Sequence, residues 1–119
     1  SYYSTFGWQP LNTAITISNV KYFLSNNKKI LDNTEKMGNY FVDRLENMKF
    51  RYPMQIRAKG LAIAVRFDNN SYAGQIKQKC FNKGLLIAYA TPNDFVLYPS
   101  LLIDQKTAEE GLDILERCI

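Results

Sequence analysis

The sequence predicts an α+β fold: a small, mostly antiparallel sheet with helices packed on one face, preceded by a long connecting helix. Three observations carry that reading. Ile30, Thr34, Met37, Phe41, Leu45 and Met48 recur every three or four residues, the period of a helix with one buried face. Leu61, Ile63, Val65 and Phe67 alternate with Ala62, Ala64 and Arg66, the period of a strand. The order helix, long helix, two strands, helix, two strands, helix then fits one layer of helices on one small sheet.

The elements follow in chain order. Thr5-Phe6-Gly7-Trp8-Gln9-Pro10 reads as a loop, with Pro10 suited to a first helical position. Leu11 to Leu24 carries both patterns, because Thr13, Ile15 and Ile17 alternate and are β-branched; its length favours a helix. Asn26-Asn27 is expected to break that helix, with Asn27 capping the next one, Lys28 to Met48. On its solvent face Lys28, Asp32 and Lys36 stand at i, i+4 spacing. Gly38 lies beside the apolar stripe and is expected to admit the close approach of another element.

Met54–Ala58 and Leu61–Phe67 are expected as two strands, or one strand bent at Gly60. The small residues on the second face of Leu61–Phe67 suggest that something packs there too. Asp68-Asn69-Asn70 is a turn, and Ser71 is the expected cap of a helix to Asn82 with Tyr72, Ile76 and Cys80 inward. Gly84 supplies the helix end. Leu85–Tyr89 and Phe95–Tyr98 are the remaining strands, joined at Thr91-Pro92-Asn93-Asp94. Asp104 is the cap of the last helix, whose apolar stripe is Ala108, Leu112, Leu115 and Ile119.

Composition removes several functions. The 119 residues are 46% apolar and carry a net charge of +4, which is ordinary for one globular domain and unlike a disordered chain. There is no histidine, so this segment holds no Ser-His-Asp triad, no Cys-His pair and no HExxH zinc site. Cys80 and Cys118 form no CxxC, and two free thiols suit a reducing cytosol. No metal site and no membrane span are expected. The lysines are spread over several elements rather than interleaved with aromatics, so nucleic acid is not an expected partner. The chain starts without Met, and is expected to be a piece of something longer.

Four motifs in order carry a resemblance: Thr5-Phe6-Gly7-Trp8-Gln9-Pro10-Leu11, Ile56-Arg57-Ala58-Lys59-Gly60-Leu61, Lys83-Gly84-Leu85-Leu86, and Pro99-Ser100-Leu101-Leu102-Ile103-Asp104 followed by Gly111-Leu112-Asp113-Ile114-Leu115. Together they resemble the C-terminal, small-domain segment of the class III, fold-type-I, pyridoxal-phosphate-dependent aminotransferases, such as ornithine and 4-aminobutyrate aminotransferases. The resemblance implies that residues 1–26 are the cofactor-phosphate loop and connecting helix from a large domain, and residues 27–119 the small domain. It implies pyridoxal 5'-phosphate as cofactor, an amino donor and a 2-oxo acid acceptor as substrates, and a cytoplasmic homodimer or larger homo-oligomer.

By the same resemblance, Thr5 binds the cofactor phosphate in the neighbouring subunit's active site. The Schiff-base lysine lies upstream, so no catalytic residue is expected within this segment, and the segment alone is not expected to transaminate. Two departures stand out. Trp8-Gln9 replaces the Gly-Asn of the family's first motif. Val96 occupies the position where some members carry an Arg that handles a substrate carboxylate, which weakens an ornithine-type assignment. Arg57 and Lys59 read as structural or domain-contact residues. The alternative reading from another class is a stand-alone, non-catalytic α+β ligand-binding or regulatory module.

Overall fold

The computed structural model describes Gly7 and residues 9–119, with the side chains of Tyr89 and Ala90 left aside. The elements are α1 (Pro10–Asn47), β1 (Met54–Lys59), β2 (Ala62–Phe67), α2 (Tyr72–Asn82), β3 (Ala88–Thr91), β4 (Asp94–Leu97) and α3 (Gln105–Glu116). The four strands form one antiparallel sheet in the order β1-β2-β4-β3. The fold is the expected α+β layer.

The helix α1 departs from expectation at one point: it runs unbroken through Asn26-Asn27. Asn26 satisfies its side chain inside the helix, its amide donating to the Tyr22 carbonyl at 2.9 Å. A polar pair that often ends a helix is here carried within one. From Ile30 onward the stripe is buried as expected at Ile30, Met37, Phe41, Leu45 and Met48, while Thr34 is half-buried and donates its hydroxyl to the Ile30 carbonyl. The preceding half is different. Leu11, Ile15, Ile17, Val20, Tyr22 and Leu24 are each at least half exposed. At about 3.6 residues per turn, the line that continues the core stripe there carries Asn12, Thr16, Asn19 and Phe23, and Phe23 is 37% exposed. Leu11, Ile15 and Tyr22 lie to one side of that line, and Ile17, Val20 and Leu24 to the other. The core contacts of α1 therefore end near Asn26, although the helix does not.

The second half of α1 crosses the β1–β2 hairpin at two glycines. Gly60 turns the hairpin at φ +55, a left-handed backbone that suits glycine. A Cβ placed on Gly38 would meet the Gly60 carbonyl oxygen at 2.6 Å. This is the close approach expected at Gly38. The inner sheet face carries Ile63, Val65, Phe67 and Phe95, all buried. Phe67 is the centre of an aromatic group, with ring centroids 5.2 Å from Phe50, 5.0 Å from Tyr72 and 5.8 Å from Phe95.

Local chemistry explains the remaining boundaries. The side chain of Asn69, not that of Ser71, caps α2: its Oδ1 accepts from the Ser71 and Tyr72 N–H groups at 3.0 and 2.9 Å. Leu85 still belongs to the helix end, because its N–H donates to the Cys80 carbonyl at 2.9 Å, so β3 starts later than expected, at Ala88. Gly84 takes φ +82 at that helix end, as expected. Asp104 caps α3 as expected, accepting from the Thr107 N–H at 2.8 Å. That bond holds its carboxyl below the usual carboxylate range. Arg44 ties α1 to α3, donating to Asp113 at 2.8 Å and Glu116 at 3.3 Å. Hydrogen bonds to Asp113 and then Tyr40 raise its already high pKa further.

Candidate functional site

Two regions carry the residues singled out by sequence: the approach to α1 and the outer face of the sheet. Thr5 and Trp8 lie outside the described residues. What is described is the helix start that they precede. Gln9 is the N-cap residue and makes no side-chain capping bond, Pro10 opens the helix, and its first turn holds no acidic residue. The Gln9 carbonyl accepts from both the N–H and the hydroxyl of Thr13, at 2.9 and 3.1 Å. The positive end of a long helix, with no carboxylate in its first turn, is an environment that favours an anion such as a phosphate group.

The outer sheet face is built by register. Arg57 stands opposite Ala64, Ala64 opposite Val96, and Val96 opposite Ala88, so the four form one row across all four strands. In the next row outward on β1, Lys59 pairs with Ala62. Arg57, Lys59, Ala62 and Arg66 are exposed, whereas Val96 and Ala64 are half-buried. Alanines give this face a low floor. Among the described residues nothing covers it, so the element that the small side chains suggest is not found within them. Val96 places a methyl-bearing, uncharged side chain at the centre of the row. The one buried acidic residue at its margin, Asp94, is occupied: its carboxylate accepts from the Thr91 N–H at 2.6 Å.

Beside the β3–β4 end of the sheet, an apolar cleft of about 530 Å³ lies among Phe41, Leu86, Val96, Tyr98, Ile103 and Leu112. Sequence reasoning missed the residue that positions its rim. Asn33 of α1 donates its amide to the Leu101 and Ile103 carbonyls, at 2.9 and 3.2 Å. It thereby pins the Pro99–Asp104 segment to the long helix. A polar residue next to an apolar stripe gives no sign of this in sequence. Among the described residues, no group of three or more His, Cys, Asp or Glu side chains comes together to hold a metal ion. No described helix is long and apolar enough to cross a membrane.

Comparison with known proteins decides which family this architecture belongs to. The profile of the family Aminotransferase class-III matches residues 1–119. The chain belongs to the class III aminotransferases. It is 29% identical, over 119 residues, to the mitochondrial acetylornithine aminotransferase of Debaryomyces hansenii, covering 98% of this chain and 25% of that protein. It is 34% identical over 102 residues to the leucine/methionine racemase of Thermococcus litoralis, covering 77% of this chain and 23% of the relative. The acetylornithine aminotransferase structure from Elizabethkingia anophelis superposes with a TM-score of 0.80 at 26% identity, covering 100% of this chain and 32% of that one. This class III segment thus spans about a quarter of the length of the curated relatives it matches.

Proposed function

We propose that the chain is the C-terminal part of a pyridoxal-phosphate-dependent aminotransferase that moves an amino group from an amine or amino acid to a 2-oxo acid. The observation that carries this reading is the class III match along residues 1–119. Residues 27–119 are the small domain, and residues 1–26 are the connection to a large domain. The end of the core stripe near Asn26 supports that division. The two exposed apolar stripes of the preceding half-helix suit burial between a large domain and a second subunit, as a homodimer or larger homo-oligomer requires. The cytoplasm suits its free thiols.

The start of α1, with no carboxylate in its first turn, suits the phosphate group of pyridoxal 5'-phosphate. Bound, the cofactor supplies an electron sink for the carbon that carries the amino group. Thr5 would hold a phosphate oxygen of the neighbouring subunit's cofactor through its hydroxyl, and the start of α1 would add favourable dipole without adding charge. The small domain covers the substrate entrance and excludes water from it. No catalytic residue is assigned here. Lys59 sits exposed on a strand end beside the hairpin turn, a poor place for a buried nucleophile. With Val96 uncharged, β4 offers no guanidinium to a substrate carboxylate.

The similarity to a racemase favours one second reading, in which the same cofactor chemistry serves a reaction that consumes no 2-oxo acid. Thr5→Val in the intact protein tests the cofactor assignment shared by both. One hydrogen bond to a charged acceptor contributes about 1.5–3 kcal/mol, so the cofactor dissociation constant is expected to rise roughly ten- to hundredfold, meaning weaker binding. Unchanged cofactor affinity in a folded Thr5→Val protein removes Thr5 from the site.

A further inference from the structure

We propose that Cys80 and Cys118 form a reversible disulfide that clamps the C-terminal end of α2 to that of α3. Both cysteines are free, and both are fully buried in the same core cluster. The Cys118 side chain is among the groups that raise the Cys80 pKa, as a near neighbour does. A separate contact joins the same two helix ends: the Lys83 ammonium donates to the Arg117 carbonyl at 3.2 Å. The backbone is held on both sides of the pair. The Cys80 carbonyl accepts from the Lys83 and Leu85 N–H groups, each at 2.9 Å, and the Cys118 N–H donates to the Leu115 carbonyl at 2.9 Å. Two thiols so placed are neighbours by construction of the fold, although they are far apart in sequence.

The closed pair resists reaction. Burial, and then the neighbouring Cys118 side chain, push the Cys80 thiol up to about 12, against the opposing charges of Lys83 and Lys79. A protonated thiol is a poor nucleophile, so the pair stays reduced while the fold is shut. Cys118 lies in the turn after α3, and helix ends open at lower cost than helix centres. Once that turn opens, the Cys118 thiolate attacks a low-molecular-weight disulfide RSSR, forming a mixed disulfide and expelling RS⁻. Before the turn closes again, with Cys80 still solvated and able to lose its proton, the Cys80 thiolate attacks the Cys118 sulfur and expels the second RS⁻. The two cysteines lose two electrons and two protons in total, and RSSR becomes two RSH. A small thiol reductant reverses both steps. The crosslink closes a loop containing β3, β4 and α3, and so stabilises the domain mainly by restricting its unfolded state.

The test treats the intact protein with oxidised glutathione under native conditions, blocks free thiols, and digests with trypsin without reduction. The expected product joins the Cys80–Lys83 peptide to the fragment that begins at Cys118. The oxidised protein is expected to melt about 5 °C or more above the reduced one, and to lose that gain with dithiothreitol. Cys80→Ser and Cys118→Ser are each expected to abolish the linked peptide and the gain. If the native protein yields only blocked thiols or separate glutathione adducts, while urea-unfolded protein links, the proposal is overturned. A linked product that melts no higher than the reduced protein overturns the clamp as well.

Discussion

Gly38→Ala is expected to destabilise the chain by about 1–2 kcal/mol, although alanine is the better helix former. In a helix interior the exchange alone favours folding by about 1 kcal/mol. Against that stands contact with backbone. The added Cβ would lie 2.6 Å from the Gly60 carbonyl oxygen and 2.9 Å from its carbonyl carbon. Neither atom belongs to a side chain that can rotate away. The hairpin must move off α1, loosening the adjacent packing of Met37 and Phe41, and overpacking of this kind costs about 1–3 kcal/mol or more. Gly74→Ala gives the contrast. Nothing lies within 4 Å of a Cβ at Gly74, and it also sits within a helix, so that exchange is expected to be neutral or stabilising by up to about 1 kcal/mol. Urea unfolding of the two variants checks both signs. A Gly38→Ala chain as stable as wild type contradicts the packing of α1 on the hairpin turn.

Phe95→Ala is expected to cost about 3–5 kcal/mol, a large part of the stability of a domain this size. Phe95 is 0% exposed and stands at the middle of the sheet, opposite Val65 on β2 and Tyr89 on β3. Its ring packs against Phe67, which in turn holds Phe50 and Tyr72. Truncation leaves a cavity that two strands and their shared aromatic group cannot collapse to fill. The next residue, Val96, points to the other face and is half-buried, so Val96→Ala is expected to cost under about 1.5 kcal/mol. The contrast between adjacent positions, read by denaturant unfolding, tests the strand alternation directly. Equal losses at both contradict it.

Much of this fold was legible in the residues because burial imposes a period. Ile30 to Met48 and Leu61 to Phe67 repeat at 3.6 and 2, and both are buried as those periods require. Gly38 stood out because glycine weakens a helix, so its presence needed a reason. Boundaries were less legible, since local preference competes with continuity. Asn26 and Asn27 favour a break in isolation, but Asn26 bonds within the helix and α1 continues. Ser71 and Asn69 are both good caps, and only the geometry shows that Asn69 performs the capping.

The candidate site was legible as motifs rather than as geometry. Arg57, Ala64, Val96 and Ala88 share a row only because β4 inserts between β2 and β3, and no local pattern encodes that order. The pairing of Cys80 with Cys118 depends in the same way on how α2 and α3 meet. Thr5 rested on resemblance to the family's first motif, and it lies outside the described residues.

The central claim is that these residues complete a pyridoxal-phosphate aminotransferase whose cofactor lysine lies elsewhere in the protein. The most direct measurement is the visible absorbance of the intact protein loaded with pyridoxal phosphate, before and after an amino donor. It is followed by borohydride reduction and peptide mapping. The expected result is an absorbance change with the donor that reverses with a 2-oxo acid, and cofactor fixed on a lysine outside residues 1–119. Reversal that needs no 2-oxo acid would move the assignment to the racemase reading. A folded, intact protein that fixes no cofactor on any lysine would contradict the claim and leave a non-catalytic module as the better description.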